Sequence, residues 1–254
     1  MSIWLHLAFL ICVALATFAQ SLTGFAFGLI LLGLVAMLHL APLNEVSIAV
    51  SVLTLFNAAV TLAGSKTRMD MSVLRPLLAT SLPGVVIGIL LLGWLSGSQV
   101  TLLRVLLGGV ILLCSLMLVM QTRPRAQRSG PLSFHVAGAL TGLLGGLFAS
   151  GGPPVVYHLY RQPLPYEIIR NTLVAVFAAN ALLRIALVLV QGHFTLNVLL
   201  LSAEALPLVL VLSWLVKRYP PPLSLRAIRW IVFSLLVIAG SSLIGEALPG
   251  LLGR

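Results

Sequence analysis

An arginine inside an apolar run is the residue best placed to do chemistry in this sequence. Arg184 stands in Leu182-Leu183-Arg184-Ile185-Ala186-Leu187. A charge in such a run is costly and faces a protein interior or an aqueous cavity. Its guanidinium fork suits a sulfonate, a sulfite or a carboxylate. Asn180, four residues earlier, falls on the same helical face. The alternative readings are a structural ion pair and an arginine that snorkels outward. Glu204, also deep in an apolar run, is the natural ion-pair partner of Arg184 or a proton-coupling site, with the pair preferred.

The second feature is Phe148-Ala149-Ser150-Gly151-Gly152-Pro153-Pro154. Two glycines free the backbone and two prolines remove N–H donors, and proline is favoured in the first turn of a helix. The chain is expected to break at Ser150, Gly151 and Gly152 and to restart near Pro153. Such a restart aims N–H groups and the positive end of a helix dipole at an anion. The first-half equivalent is Gln20-Ser21-Leu22-Thr23-Gly24, so Gln20, Ser21, Thr23 and Gly24 join the candidate binding residues. Close helix packing by small residues is the competing reading for both stretches. His158, shortly after the break, is a proton-relay candidate or a hydrogen-bonded interior histidine.

These residues need elements to position them, and composition says which kind. Of 254 residues, 60% are hydrophobic and 8% charged, with a mean hydropathy of +1.14; a soluble domain carries roughly a quarter charged residues. A water-soluble globule and a disordered chain are both excluded. The net charge of +10 comes almost wholly from arginine. It collects in short loops, so it reads as membrane topology rather than nucleic-acid binding. Cys12 and Cys114 lie in apolar runs and read as inert, and no His/Cys spacing suggests a metal; no cofactor is expected. The N-terminus lacks the basic region and cleavage site of a signal peptide.

Apolar segments are read at 3–19, 25–40, 46–63, 72–95, 101–120, 132–148, 153–160, 166–190, 196–216 and 225–248. A spanning helix needs about 20 residues; 153–160 is far too short. Lys66, Arg68 and Arg75 surround one loop, Arg123, Arg125 and Arg128 occupy the linker, and Lys217, Arg218, Arg226 and Arg229 surround another. The loops near Pro42, Ser98 and Gly192 carry no Lys or Arg. The first group is assigned to the cytoplasm and the second to the outside. Following the chain, the three long helices of each half then oppose their counterparts, with both chain ends outside; Arg254 is a contrary vote.

The expected fold class is an all-α polytopic membrane protein with two inverted-topology repeats, 1–120 and 132–254, joined by a basic cytoplasmic linker, 121–131. Each repeat has a broken or re-entrant helix pair plus three long transmembrane helices. Short matches support the repeat: Ala41-Pro42-Leu43-Asn44-Glu45 with Asn57, against Pro163-Leu164-Pro165-Tyr166-Glu167 with Asn180, and Phe18-Ala19-Gln20-Ser21 against Phe148-Ala149-Ser150-Gly151. Asn57 and Asn180 line the site or bond between helices. Glu45 and Glu167 read as helix-start carboxylates. Arg161 and Arg170 read as topology determinants, and Arg170 also as a guide for anions. Inverted repeats with paired breaks point to a secondary transporter with a midplane site.

Ser21-Leu22-Thr23-Gly24-Phe25-Ala26-Phe27-Gly28 resembles the glycine-rich element opening the first half of the sulfite exporter TauE/SafE family. Ala149 to Pro154, followed by Arg170-Asn171-Thr172 and Asn180, resembles its second-half element. The resemblance covers nearly the whole chain and implies a carrier in the bacterial inner membrane. Its substrates would be small sulfur-containing anions such as sulfite, sulfoacetate or other organosulfonates, often exported. The partners expected are that anion and the bilayer, not nucleic acid; a homodimer stays open. An anion channel using the same cavity, and an intramembrane serine hydrolase built on Ser150 and His158, are the alternatives. No Gly-x-x-x-x-Gly-Lys-Ser/Thr is present, so energy must come from a gradient or a partner.

Overall fold

The computed structural model describes residues 3–23, 25–63, 69–98, 100–119, 125–219 and 225–251. These form α1 (Ile3–Thr23), α2 (Phe27–Met37), α3 (Leu43–Ala63), α4 (Met71–Ser98), α5 (Val100–Val119), α6 (Pro131–Phe148), α7 (Gly152–Tyr160), α8 (Tyr166–Val190), α9 (Leu196–Arg218) and α10 (Leu225–Leu251). Seven are long and apolar enough to cross a membrane: α1, α3, α4, α6, α8, α9 and α10. The chain is an all-α, multi-pass membrane protein. Helix α2 is apolar on every side and Phe27 through Ala36 are all buried. A helix with that pattern belongs at the centre of a bundle, not against lipid.

One expected break shifts. Gln20, Ser21 and Thr23 continue α1 as regular helix, with the Ser21 hydroxyl donating to the Thr17 carbonyl at 2.8 Å. The interruption comes after Thr23; Gly24 lies outside the described residues. Serine and threonine bond back to the preceding turn and so tolerate a membrane helix that glycine or proline would interrupt. The second-half break falls where expected, between Phe148 and Gly152.

Hydrogen bonds and ion pairs sort the helix ends into two groups. At one end, Glu45 at the start of α3 accepts from Thr195 and Asn197 at the start of α9, at 3.5 and 3.4 Å. His39, after α2, and Arg104, in α5, lie 3.4 and 4.0 Å from Glu246 near the end of α10. At the other end, Arg128 pairs with Asp70 before α4 at 2.9 Å. The Ser129 amide donates to Gln162 after α7 at 2.9 Å, and the Arg125 amide to the Arg161 carbonyl at 2.8 Å. The chain that enters α6 and the chain that leaves α7 therefore share one end of the bundle. Helices α6 and α7 form a re-entrant hairpin: a long arm of about 27 Å and a short return of about 14 Å at 1.5 Å per residue.

The packing has a repeating logic. Pairs α4·α6 and α1·α9, α3·α9 and α4·α8, α1·α2 and α6·α7, α2·α3 and α7·α8 exchange when each helix is replaced by the one five places away. Pairs α3·α8 and α5·α10 map onto themselves. The seams differ in chemistry. On α4·α6, Gly84 and Gly88 interleave with Gly138, Gly142 and Gly146. A Cβ on Gly142 would run into the Ser81 carbonyl, and one on Gly146 into that of Val85. Backbones this close gain dispersion along their full length, the usual way membrane helices associate. The α1·α9 seam has no such stripe on α1 and instead carries His6 Nδ1 against Glu204 Oε2 at 2.7 Å.

Asp70 anchors the start of α4. Its carboxylate accepts from the Ser72 amide at 3.0 Å and pairs with Arg128. The Ser72 hydroxyl bond first, then the Ser72 amide bond and the Arg128 charge, hold this carboxyl below the ordinary value of 3.8 against the opposing effect of burial. A depressed folded-state value stabilises above the ordinary value and is lost as pH falls through the folded one. Asp70→Asn should lower Tm modestly at pH 7, and the gap should shrink progressively as pH falls below 3.8; a constant gap across pH would refute this.

Candidate functional site

The turn of the re-entrant hairpin reaches the middle of the bundle. Ala149, not a glycine, takes the left-handed conformation there, with φ 52°. Gly151 is needed for a different reason from the one its sequence suggests. Its φ is negative, at −91°, but a Cβ on it would collide with the Thr141 carbonyl of α6. The turn packs on α2: a Cβ on Gly28 would sit 3.0 Å from Ser150 Cβ and 3.2 Å from the Ala149 carbonyl. A Cβ on Gly152 would lie 3.2 Å from the Phe25 ring.

Arg184 approaches this turn from α8 and is 2% exposed. It donates to the carbonyls of Gly146 and Gly145, the latter at 3.4 Å, and to the Ser47 hydroxyl of α3 at 2.8 Å. Those carbonyls are among the last of α6, where a helix leaves acceptors unpaired and its dipole favours a cation. Arg184 thus ties α6, α8 and α3 together. The expected ion pair with Glu204 is not formed: Glu204 sits on the α1·α9 seam with His6. Sequence periodicity places a residue on a face but not opposite a particular neighbour.

Two buried donors at this point have no hydrogen-bond partner among the described residues: Arg184 Nε and Asn180 Nδ2. Asn180 is otherwise engaged, its Oδ1 accepting from Ser81 at 3.0 Å. A Cβ on Gly145 would lie 3.7 Å from Asn180 Nδ2 and 3.9 Å from the Gly151 nitrogen, so both border the space beside Gly145. That space belongs to a cavity of about 40 Å³ lined by Gln20, Ser150, Gly151, Gly152, Asn180 and Arg184, with Ser51, Thr54, Phe25 and Phe177. No carboxylate lines it. Leaving a buried donor unpaired costs about 1–3 kcal/mol, so an acceptor-rich, negatively charged guest is favoured here.

The remaining expected residues are distributed elsewhere. Ser21 and Asn57 line a second cavity of about 220 Å³, with Thr61, Arg170 and Ser213. Gln20 borders both cavities, and its Oε1 has no partner among the described residues. Pro153 and His158 face a third space, an apolar groove of about 800 Å³ between α5, α6 and α7. There His158 Nε2 meets the Ser133 hydroxyl at 3.2 Å, which leaves Ser150 without that histidine. Thr23 ends α1 and Gly24 lies outside the described residues. Sequence reading missed Ser47, Ser51, Ser81 and Gly145. Gly145 carried a signal, since Gly138, Gly142, Gly145 and Gly146 share one helical face; the serines carried none. Among the described residues no group of three metal-ligating side chains occurs.

A polytopic helical protein with a re-entrant hairpin ending on a buried cation, in a cavity free of carboxylates, has the build of a membrane transporter. The profile of the sulfite exporter TauE/SafE family matches residues 9–243. A probable sulfite/organosulfonate exporter TauE of Cupriavidus necator is 38% identical over 232 residues, covering 91% of this chain and 91% of that one. No solved structure matches. The chain belongs to the sulfite exporter TauE/SafE family, whose members are transporters rather than enzymes.

Proposed function

We propose that this protein exports small sulfur oxyanions, sulfite and compact organosulfonates such as sulfoacetate, across the bacterial inner membrane by alternating access. One observation carries the reading: Arg184 Nε, Asn180 Nδ2 and the Gly151 amide border a space that no carboxylate enters. A sulfur oxyanion offers a negative charge and several acceptors to those donors. The cavity of about 40 Å³ holds roughly three waters by the same measure. It suits a sulfite and must widen for an organosulfonate. Gln20 separates it from the larger cavity that holds Arg170. The basic ends of α4, α6 and α8 support a cytoplasmic position for that cavity in this proposal.

The halves 1–120 and 132–254 act as inverted repeats in this proposal. The exchange of packing pairs and the opposed helix ends support it. The 121–131 linker would then be cytoplasmic and both chain ends external, which cysteine labelling from either side tests. The His6–Glu204 pair is assigned to proton coupling, because it bridges the seam without glycine interlock. Glu204→Gln should abolish flux driven by a pH gradient while keeping substrate counterflow; equal gradient response in the variant and the native protein would end that assignment.

The direct test of the site is Gly145→Ala. Its Cβ would meet neighbours only at ordinary contact distance, so Tm should stay within a few degrees. The methyl would occupy the space beside the donors. Efflux of labelled sulfite from proteoliposomes should fall about tenfold or more, as for loss of a charge-assisted hydrogen bond. Undiminished efflux would remove the site. Saturable flux without single-channel currents separates a carrier from a channel.

A further inference from the structure

The third space, between α5, α6 and α7, is no part of the anion site. Its walls are apolar, formed by residues such as Val110 and Leu113 of α5 and Val136 and Leu140 of α6. Leu113, Val136 and Leu140 are about half exposed. It runs along α6 from Pro131 to Leu144, about 20 Å at 1.5 Å per residue. That covers one leaflet of a hydrocarbon core about 30 Å thick. Its volume of about 800 Å³ falls in the range of ligand sites, about 300–1,000 Å³.

One mouth of the groove is basic. Tyr157 lines it, and Arg161 both donates to the Tyr157 hydroxyl at 2.9 Å and lies 5.2 Å above its ring. The Arg125 amide is bound to the Arg161 carbonyl, which holds the two arginines together. Arg128 lies 6.0 Å from the Phe134 ring, one residue from Ser133 in the groove wall. Arg125 and Arg161 on the rim, with Arg128 beside them already paired with Asp70, and an acyl-length apolar channel beneath have one matching occupant in a membrane.

We propose that this groove binds an anionic phospholipid, its phosphate at Arg125 and Arg161 and an acyl chain along α6. The lipid braces α7. Pro153 forms part of the groove wall while its neighbour Gly152 lines the anion cavity, so groove and cavity share the short helix.

The test is lipid retention by the purified full-length protein, read by native mass spectrometry from vesicles of equal phosphatidylglycerol and phosphatidylcholine. Phosphatidylglycerol should be enriched roughly twenty-fold, about fivefold for each of Arg125 and Arg161, and Arg125→Gln with Arg161→Gln should bring retention of the two lipids close to equal. Val136→Trp, which fills the groove and keeps every charge, should release the lipid. Arg218→Gln, a basic residue away from the groove, should change nothing. Equal retention of the two lipids, enrichment that survives the double variant, or an Arg218→Gln effect as large as that of the rim arginines would overturn the proposal. So would a second copy of this chain cross-linking through position 140 in place of lipid. Retention is read without transport, so it stands or falls separately from the anion site.

Discussion

Arg184→Ala is expected to abolish anion efflux and to destabilise the fold by about 3 kcal/mol or more. Two buried acceptors, the Gly146 carbonyl and the Ser47 hydroxyl, would each lose a charged donor. Alanine alone does not separate binding from scaffolding, because Arg184 does both. Arg184→Lys separates them. It keeps a cation at the C-terminus of α6, where the dipole favours it, but removes Nε and the planar fork. The lysine protein should keep a Tm near that of the native one. The native protein should gain about 2.7 kcal/mol in sulfite at a hundred times its Kd, and the lysine protein should gain almost none. The check is thermal unfolding in detergent across a sulfite series. If lysine retains the whole sulfite-dependent rise, Arg184 is a helix tie and nothing more.

The second large effect lies on the α4·α6 seam. Gly142→Ala drives a methyl into the backbone of Ser81, with no flexible side chain to yield. The helices must part, and every neighbouring glycine contact on the seam loosens with them. Overpacking a tight site costs about 1–3 kcal/mol and more when backbone must move, so little folded protein is expected. Gly109→Ala in α5 is the control, since nothing lies within 4 Å of its Cβ position. Removing a helical glycine there should be neutral or stabilising by about 0.5–1 kcal/mol. Fluorescence-detected size exclusion and Tm report both. Equal stability of the two variants would show that the seam is not held by backbone contact.

The contrast between the seams also suggests which one moves. The α4·α6 seam is interlocked by backbone, while α1·α9 meets through side chains and one His–Glu pair. In the alternating-access proposal, the glycine seam is the rigid body and the α1·α9 seam the hinge.

Composition and charge order made the multi-pass helical class legible, because a bilayer demands long apolar helices and sorts arginine between its faces. The break at Ser150–Gly152 was legible as well, because glycine frees the backbone and proline restricts it, both locally. The first-half break was displaced past Thr23, since serine and threonine fit a membrane helix by bonding to their own backbone. Asn180 and Arg184 were visible as polar residues on one face. Their partners at Ser81, Ser47 and the carbonyls of Gly145 and Gly146 were not, because each lies far away in sequence and was brought near only by helix packing.

What the amino-acid sequence determined alone is therefore whatever a local rule or the membrane imposes: helix length, the second break and the distribution of charge. Only the tertiary structure decided that Arg184 caps α6 and leaves Glu204 to His6, that Gln20 stands between two cavities, and that Asn57 and Asn180 line different ones. Those outcomes depend on which faces meet at which depth. Backbone approach at glycines such as Gly142 and Gly151 sets that depth, to distances that periodicity along one helix does not encode.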